Sequence, residues 1–185
     1  MKFKLFNFLA FQVGWLIGCI GASQGWPGLG PVYTTAWLTV HLVLVGAYAR
    51  QEFIIVIAAA VLGYLADSAL VLLDIFEFPP QAQFGQPTTL WMVSLWANLA
   101  LTLRHCLGWL RNRFVTASLL GAIAGPLAYA AGGKLGAITL DVSASTIIAI
   151  GIEWSLTLPL LLLIVKAVEG PLERPAGTSK DLRTC

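Results

Sequence analysis

Runs of roughly twenty apolar residues, separated by short polar connections, constrain this chain more than any other feature. The hydrocarbon core of a bilayer is about 30 Å thick and needs about 20 predominantly apolar residues per helix. Six runs meet that scale, at approximately residues 3–22, 31–49, 53–75, 88–110, 114–131 and 144–168. The connections carry turn chemistry: Gln24-Gly-Trp-Pro-Gly-Leu-Gly30, Arg50-Gln-Glu52, Glu77 through Pro87, Arg111-Asn-Arg113, and Gly132 through Asp141. In the last of these, residues 135–140 are themselves apolar and are expected to dip toward the membrane.

Composition supports the same conclusion. Of 185 residues, 58% are hydrophobic and 11% charged, with a mean hydropathy of +0.81. Soluble domains carry about 25% charged residues, and one small globule has no room to hide so much apolar surface. A water-soluble enzyme, a nucleic-acid binder and a disordered chain are therefore excluded. The expected fold is all-α: a polytopic transmembrane bundle of six helices over residues 1–168, followed by a short disordered cytoplasmic tail over 169–185.

Orientation follows from the basic residues, which concentrate on the cytoplasmic side of membrane proteins. With six spans, nine of the eleven fall on one side: Lys2, Lys4, Arg50, Arg111, Arg113, Lys166, Arg174, Lys180 and Arg183. Lys134 falls on the other side with the acids Asp74, Glu77 and Asp141, and Arg104 lies inside the fourth span. Both termini are thus expected in the cytoplasm. The opening Met-Lys-Phe-Lys and the lipobox-like Leu16-Ile-Gly-Cys19 suggest a cleaved signal segment. However, Asn7, Gln12 and Trp15 interrupt the apolar run and favour an uncleaved first helix.

Cys19, Cys106 and Cys185 are widely spaced and odd in number, which excludes a disulfide framework and a Cys-x-x-Cys motif. His41 and His105 are too few for a multi-histidine di-iron centre, and no metal site or cofactor is expected. The net charge of +2 points to no polyanionic partner and no nucleic acid.

Polar residues inside spans should face the bundle interior, because unpaired polar groups are costly in hydrocarbon. They do line up at helical spacing: Thr34, Trp37, His41 and Tyr48 in the second span, and Tyr64, Asp67, Ser68 and Asp74 in the third. Ser94, Asn98, Thr102 and His105 follow in the fourth, and Thr146, Glu153 and Thr157 in the sixth. His41, Asp67 and Asn98 lie near mid-span, where a carboxyl must be protonated, paired or hydrated, and His41 is the natural partner for Asp67 or Glu153. His41, Asp67 and Glu153 are accordingly the candidate acid/base or proton-relay residues. The alternative is a hydrogen-bonded network that only fixes helix packing.

Asn98, Arg104 and Tyr129 are candidate substrate-binding residues. Arg104 either holds a phosphate or carboxylate headgroup or snorkels to the interface. Pro126 should kink the fifth helix and free the Ala122 carbonyl, with Tyr129 as a candidate partner for it. The pairs Gly14/Gly18, Gly121/Gly125 and Gly132/Gly136 have the small-residue spacing of close helix contacts.

Three stretches carry a family resemblance: Asn7-Phe-Leu-Ala-Phe-Gln-Val-Gly-Trp15, Gly63-Tyr-Leu-Ala-Asp67, and Gly121-Ala-Ile-Ala-Gly-Pro-Leu-Ala-Tyr129 with Gly132 and Leu135-Gly136. Together they resemble a family of small bacterial inner-membrane proteins catalogued as a domain of unknown function, over residues 7 to about 168. The resemblance implies no assigned catalytic or binding residues. It implies a setting beside lipid-modifying enzymes and photo-oxidative stress functions in bacterial gene neighbourhoods. The expected function is therefore an accessory or enzyme in membrane-lipid metabolism or envelope stress. Its expected partners are the lipid bilayer and other membrane or lipid-modifying proteins. A small proton-coupled transporter using Asp67 or Glu153, and a scaffold using the glycine pairs, are the alternatives. Whether the protein is an enzyme stays open.

Overall fold

A computed structural model describes residues 2–170. Among them the secondary structure is all-α: α1 (Lys2–Ser23), α2 (Leu29–Val45), α3 (Ala49–Leu72), α4 (Leu90–Leu103), α5 (Phe114–Lys134) and α6 (Ala144–Glu169). Four helical runs are long and apolar enough to cross a membrane, together with one shorter apolar helix, Leu90–Leu103. That corrects the expectation of six membrane-crossing spans. One of the four runs, Leu29–Leu72, is 44 residues long and contains both α2 and α3. They are separated by a turn of 3-10 helix, Gly46–Tyr48, entered through Gly46 at φ +54°. Glycine tolerates that conformation because it has no Cβ.

The fourth expected span is also shorter than its apolar run. Helix α4 has 14 residues, about 21 Å at the helical rise, and turns follow from Arg104 to Arg113 in place of further α-helix. It is the central helix, with 11 of its 14 residues buried against α1, α2 and α3. A helix sheathed by others does not have to match the bilayer thickness on its own. Helix α6 packs against α3, and α5 lies mainly on α6.

Several helix ends meet at one end of the bundle. Phe3 of α1, His41 of α2, Glu52 of α3, His105 after α4, Arg111 before α5 and Glu169 of α6 are linked there by ring contacts and ion pairs. At the opposite end two connections fold together. Glu77 and Thr139 exchange backbone hydrogen bonds of 2.9 and 2.8 Å. Phe76, Phe78, Ala82, Ala137 and Ile138 are buried beneath them, which accounts for the apolar character of residues 135–140. Large apolar side chains such as Leu5, Val43, Leu72, Val115, Ile123 and Leu156 are exposed along the outer helix faces. So much exposed apolar surface is what a bilayer covers.

Two glycine pairs lie at close helix contacts as their spacing suggests. A Cβ on Gly121 would collide with the Trp154 backbone, and one on Gly125 with its indole. One on Gly14 would meet Asn98 and Tyr33, and one on Gly18 would meet Leu95. Gly132 has its nearest neighbour atoms at 3.9 Å, so its spacing has no such consequence. Helix α5 continues as α-helix through Pro126, and Gly151 of α6 lies against the Ala122 carbonyl. Ser143 caps α6 by accepting a hydrogen bond from the Thr146 amide. Glu169, the first residue of the expected tail, is the last residue of α6. Residues 171–185 lie outside the described residues.

Candidate functional site

The polar residues predicted as one interior seam divide into two separate groups. Asp67 and Glu52 both belong to α3 and are fifteen residues apart, about 22 Å along the axis.

The first group surrounds Asp67, which has no exposed surface. Trp96 of α4 donates its indole N–H to Asp67 Oδ2 at 2.7 Å, and the Tyr129 hydroxyl of α5 donates to Oδ1. Trp96 stacks on Trp154 of α6, with ring centroids 4.6 Å apart and planes inclined by 22°. Tyr129 meets Phe76 and Trp154 edge to face. Gly63, one turn before Asp67, makes the arrangement possible, because a Cβ there would overlap the Trp96 indole. Four helices thus hold one carboxyl group through two neutral donors, and no cation among the described residues pairs with it.

Trp96, Tyr129 and Trp154 also form the wall of a cavity of about 80 Å³, completed by residues including Trp15, Cys19, Trp91, Met92 and Leu95. Its lining is almost wholly apolar, and the polar ends of Trp96 and Tyr129 are turned away to Asp67. Apolar cavities of this kind take apolar guests in preference to water.

Glu153 and Asn98 are placed elsewhere. Glu153 is partly buried and accepts a hydrogen bond from the Thr157 hydroxyl at 2.8 Å, while its Oε2 has no hydrogen-bond partner among the described residues. Asn98 donates to the Phe11 carbonyl at 2.9 Å, and Asn7 donates to the Leu101 carbonyl at 2.9 Å. Those two amides tie α1 to α4. Tyr129 binds Asp67 and not the carbonyl freed by Pro126.

The second group lies at the opposite end of α3 and overturns the expected pairing of His41 with Asp67 or Glu153. Helix α2 ends at Val45, which puts His41 one turn from its end, not at mid-span. There it faces Glu52, with Nε2 3.5 Å from Oε2. Glu52 lies in the first turn of α3 and is fully buried, although its charged neighbourhood reads as a connection. His105 Nε2 lies 2.9 Å from Glu52 Oε1, and Arg104 donates to the same oxygen at 3.1 Å. Arg104 also donates to Glu169 at 2.8 Å, and Glu169 pairs with Arg111. Arg104 is therefore engaged inside the protein and does not simply snorkel. Glu52 was missed by hydropathy alone; its sequence signal is an acid in the first turn after a Gly-containing break, where carboxylates favour helix starts.

No curated protein and no solved structure matches this chain. A model of a family described as "Protein of unknown function (DUF2878)" matches residues 4–160, and the chain belongs to that family.

Proposed function

We propose that this is a membrane protein that holds part of a lipid acyl chain in the cavity beside Trp96 and Tyr129. In this reading Asp67 is the proton-handling group behind its wall, in service of membrane-lipid metabolism or envelope maintenance. The observation that carries it is the combination at one place: an apolar cavity, and a fully buried carboxyl group reached through two of the cavity's own wall residues. Ionisable residues buried within membrane helices mark functional pathways by default. An apolar space enclosed among membrane helices is suited to a hydrocarbon guest.

The orientation that fits this reading places the Glu52 end in the cytoplasm. Lys4, Arg50, Arg104, Arg111, Arg113 and Lys166 lie near that end of their helices, and Lys134 lies at the other, as the distribution of basic residues around a bacterial cytoplasmic membrane requires. Both ends of the helical region then face the cytoplasm. The Gly14, Gly18, Gly121 and Gly125 faces, two of the three glycine pairs of the scaffold alternative, are occupied by contacts within the chain.

Lipid profiling of a strain lacking the gene tests the proposal, with complementation by the wild type, Asp67→Asn and Tyr129→Phe. The expected result is an altered fatty-acid composition restored by the wild type and not by Asp67→Asn. Unchanged profiles under both normal and oxidative growth contradict it. Oε2 of Glu153, without a hydrogen-bond partner among the described residues, favours a second reading, a proton-coupled transporter. Its signature is a pH-dependent flux in proteoliposomes that disappears in Glu153→Gln.

A further inference from the structure

We propose that His41, Glu52 and His105 form a binding site for a divalent first-row transition-metal ion at the basic end of the bundle, separate from the cavity. Three segments distant in sequence supply the donors: the last turn of α2, the first turn of α3 and the turn that follows α4. One donor atom from each residue lies within 4.8 Å of the other two. His105 Nε2 lies 2.9 Å from Glu52 Oε1 and His41 Nε2 lies 3.5 Å from Oε2, separations of the size found between ligands of one ion. With metal–ligand bonds of about 2.0–2.2 Å, neighbouring donors stand about 2.8–3.6 Å apart across octahedral and tetrahedral arrangements.

A second observation points independently to a ligand. His41 has no exposed surface, yet neither of its ring nitrogens makes a hydrogen bond among the described residues, and Glu52 Oε2 beside it makes none. Buried polar side chains almost always find partners, and a cation between these atoms satisfies Nε2 and Oε2 together. The rings are held for that purpose. Trp37 meets His41 edge to face at 5.5 Å, Phe3 meets His105 at 5.1 Å, and the two imidazoles stand 4.9 Å apart. This aromatic wall limits both water access and ring rotation.

The donor chemistry selects the ion class. Two imidazoles and one carboxylate suit Zn²⁺, Fe²⁺ or Co²⁺, whereas Mg²⁺ and Ca²⁺ take oxygen ligands. Three protein ligands leave at least one coordination position for water or an exogenous oxygen donor. Arg104 donates to Glu52 Oε1, the oxygen that faces His105, and fixes the carboxylate as second-sphere groups do. Its charge opposes a dication, but Glu169 accepts from Arg104 and pairs with Arg111, so the surrounding acids and guanidinium groups offset one another. The expectation of no metal site counted histidines alone and placed Glu52 in a connection. The third ligand becomes visible only once α3 is seen to begin at Ala49.

Co²⁺ is the probe for the test. Full-length protein purified in detergent is stripped with a chelator and titrated with Co²⁺. Bound metal is counted after dialysis and the visible d–d absorption is recorded. The expected result is one Co²⁺ per chain, displaced by Zn²⁺ and not by Mg²⁺. Binding should weaken more than tenfold in His41→Gln, Glu52→Gln and His105→Gln, and stay unchanged in Lys134→Gln at the other end of the bundle. His105 is the partly exposed ligand, so His105→Gln decides the matter if the two buried variants fail to fold. Absence of stoichiometric Co²⁺ in the wild type overturns the proposal, and so does binding that persists at wild-type strength in His105→Gln. Either result leaves the three residues as a hydrogen-bonded ion cluster.

Discussion

The two buried carboxyl groups of α3 are held in opposite ways. Glu52 sits among two imidazoles and an arginine, in a cluster that continues through Glu169 to Arg111. Asp67 receives only an indole N–H and a phenolic O–H, against an apolar cavity. The difference reflects position. At the Glu52 end the chain recruits charged side chains from several neighbouring helix termini, whereas around Asp67, five residues before the end of α3, an indole and a phenol donate to the carboxyl group. Charge compensation therefore organises one end of the molecule, and neutral hydrogen bonding with tight aromatic packing organises the interior.

Substitutions can break that contrast, and the largest effect is expected at Glu52. Glu52→Ala leaves Arg104 and both imidazoles facing a buried void, and loss of one partner of a buried ion pair costs about 3–5 kcal/mol. The loss should be readable as a large fall in melting temperature in detergent. Next comes Gly63→Ala, which forces the Trp96 indole away from α3. Overpacking of this kind costs about 1–3 kcal/mol. It should change tryptophan fluorescence as well, by disturbing the Trp96–Trp154 stack, which Glu52→Ala leaves in place.

Tyr129→Phe removes one of the two donors to Asp67 with almost no change of shape. A buried acceptor left short of a partner costs about 1–3 kcal/mol. Chemical denaturation should place this variant between Gly63→Ala and the wild type. Arg111→Gln should have the smallest effect. Its side chain is 36% exposed, and exposed pairs contribute about 0–1 kcal/mol. Raising the salt concentration should narrow its difference from the wild type and leave the Tyr129→Phe difference intact. If Arg111→Gln proves more damaging than Tyr129→Phe, the assignment of charge to one region and neutral bonding to the other is wrong.

Much of the helical framework was legible in the sequence, because apolar runs of bilayer length report helices directly. Helices α1, α5 and α6 begin and end within three residues of the expected limits. The errors have a common physical origin. Hydropathy continues through Leu107, Trp109 and Leu110 after α4 has ended, because the turns there are apolar and partly buried. It dips at Arg50 and Glu52 although α3 has begun, because the cost of burying Glu52 is met by His41, His105 and Arg104, ten or more residues away in sequence. Asp67 and Tyr129 were recognisable individually as buried polar groups. Their direct bond, 62 residues apart, depends on how α5 and α6 dock, and the cavity that Tyr129 borders depends on the same packing. Nothing in the local sequence of Trp96 marks it as a donor to Asp67.

Lipid retention by the purified protein tests the central claim most directly. Gly132 borders the cavity and has free space around it, its nearest neighbour atoms being 3.9 Å from an added Cβ, so Gly132→Leu should fill the cavity with little strain. Native mass spectrometry after extensive detergent exchange should show an acyl lipid retained by the wild type and reduced at least fivefold in Gly132→Leu, with melting temperatures within a few degrees. Equal lipid retention by the two proteins, or none by either, would contradict an acyl-binding cavity at Tyr129 and Trp96.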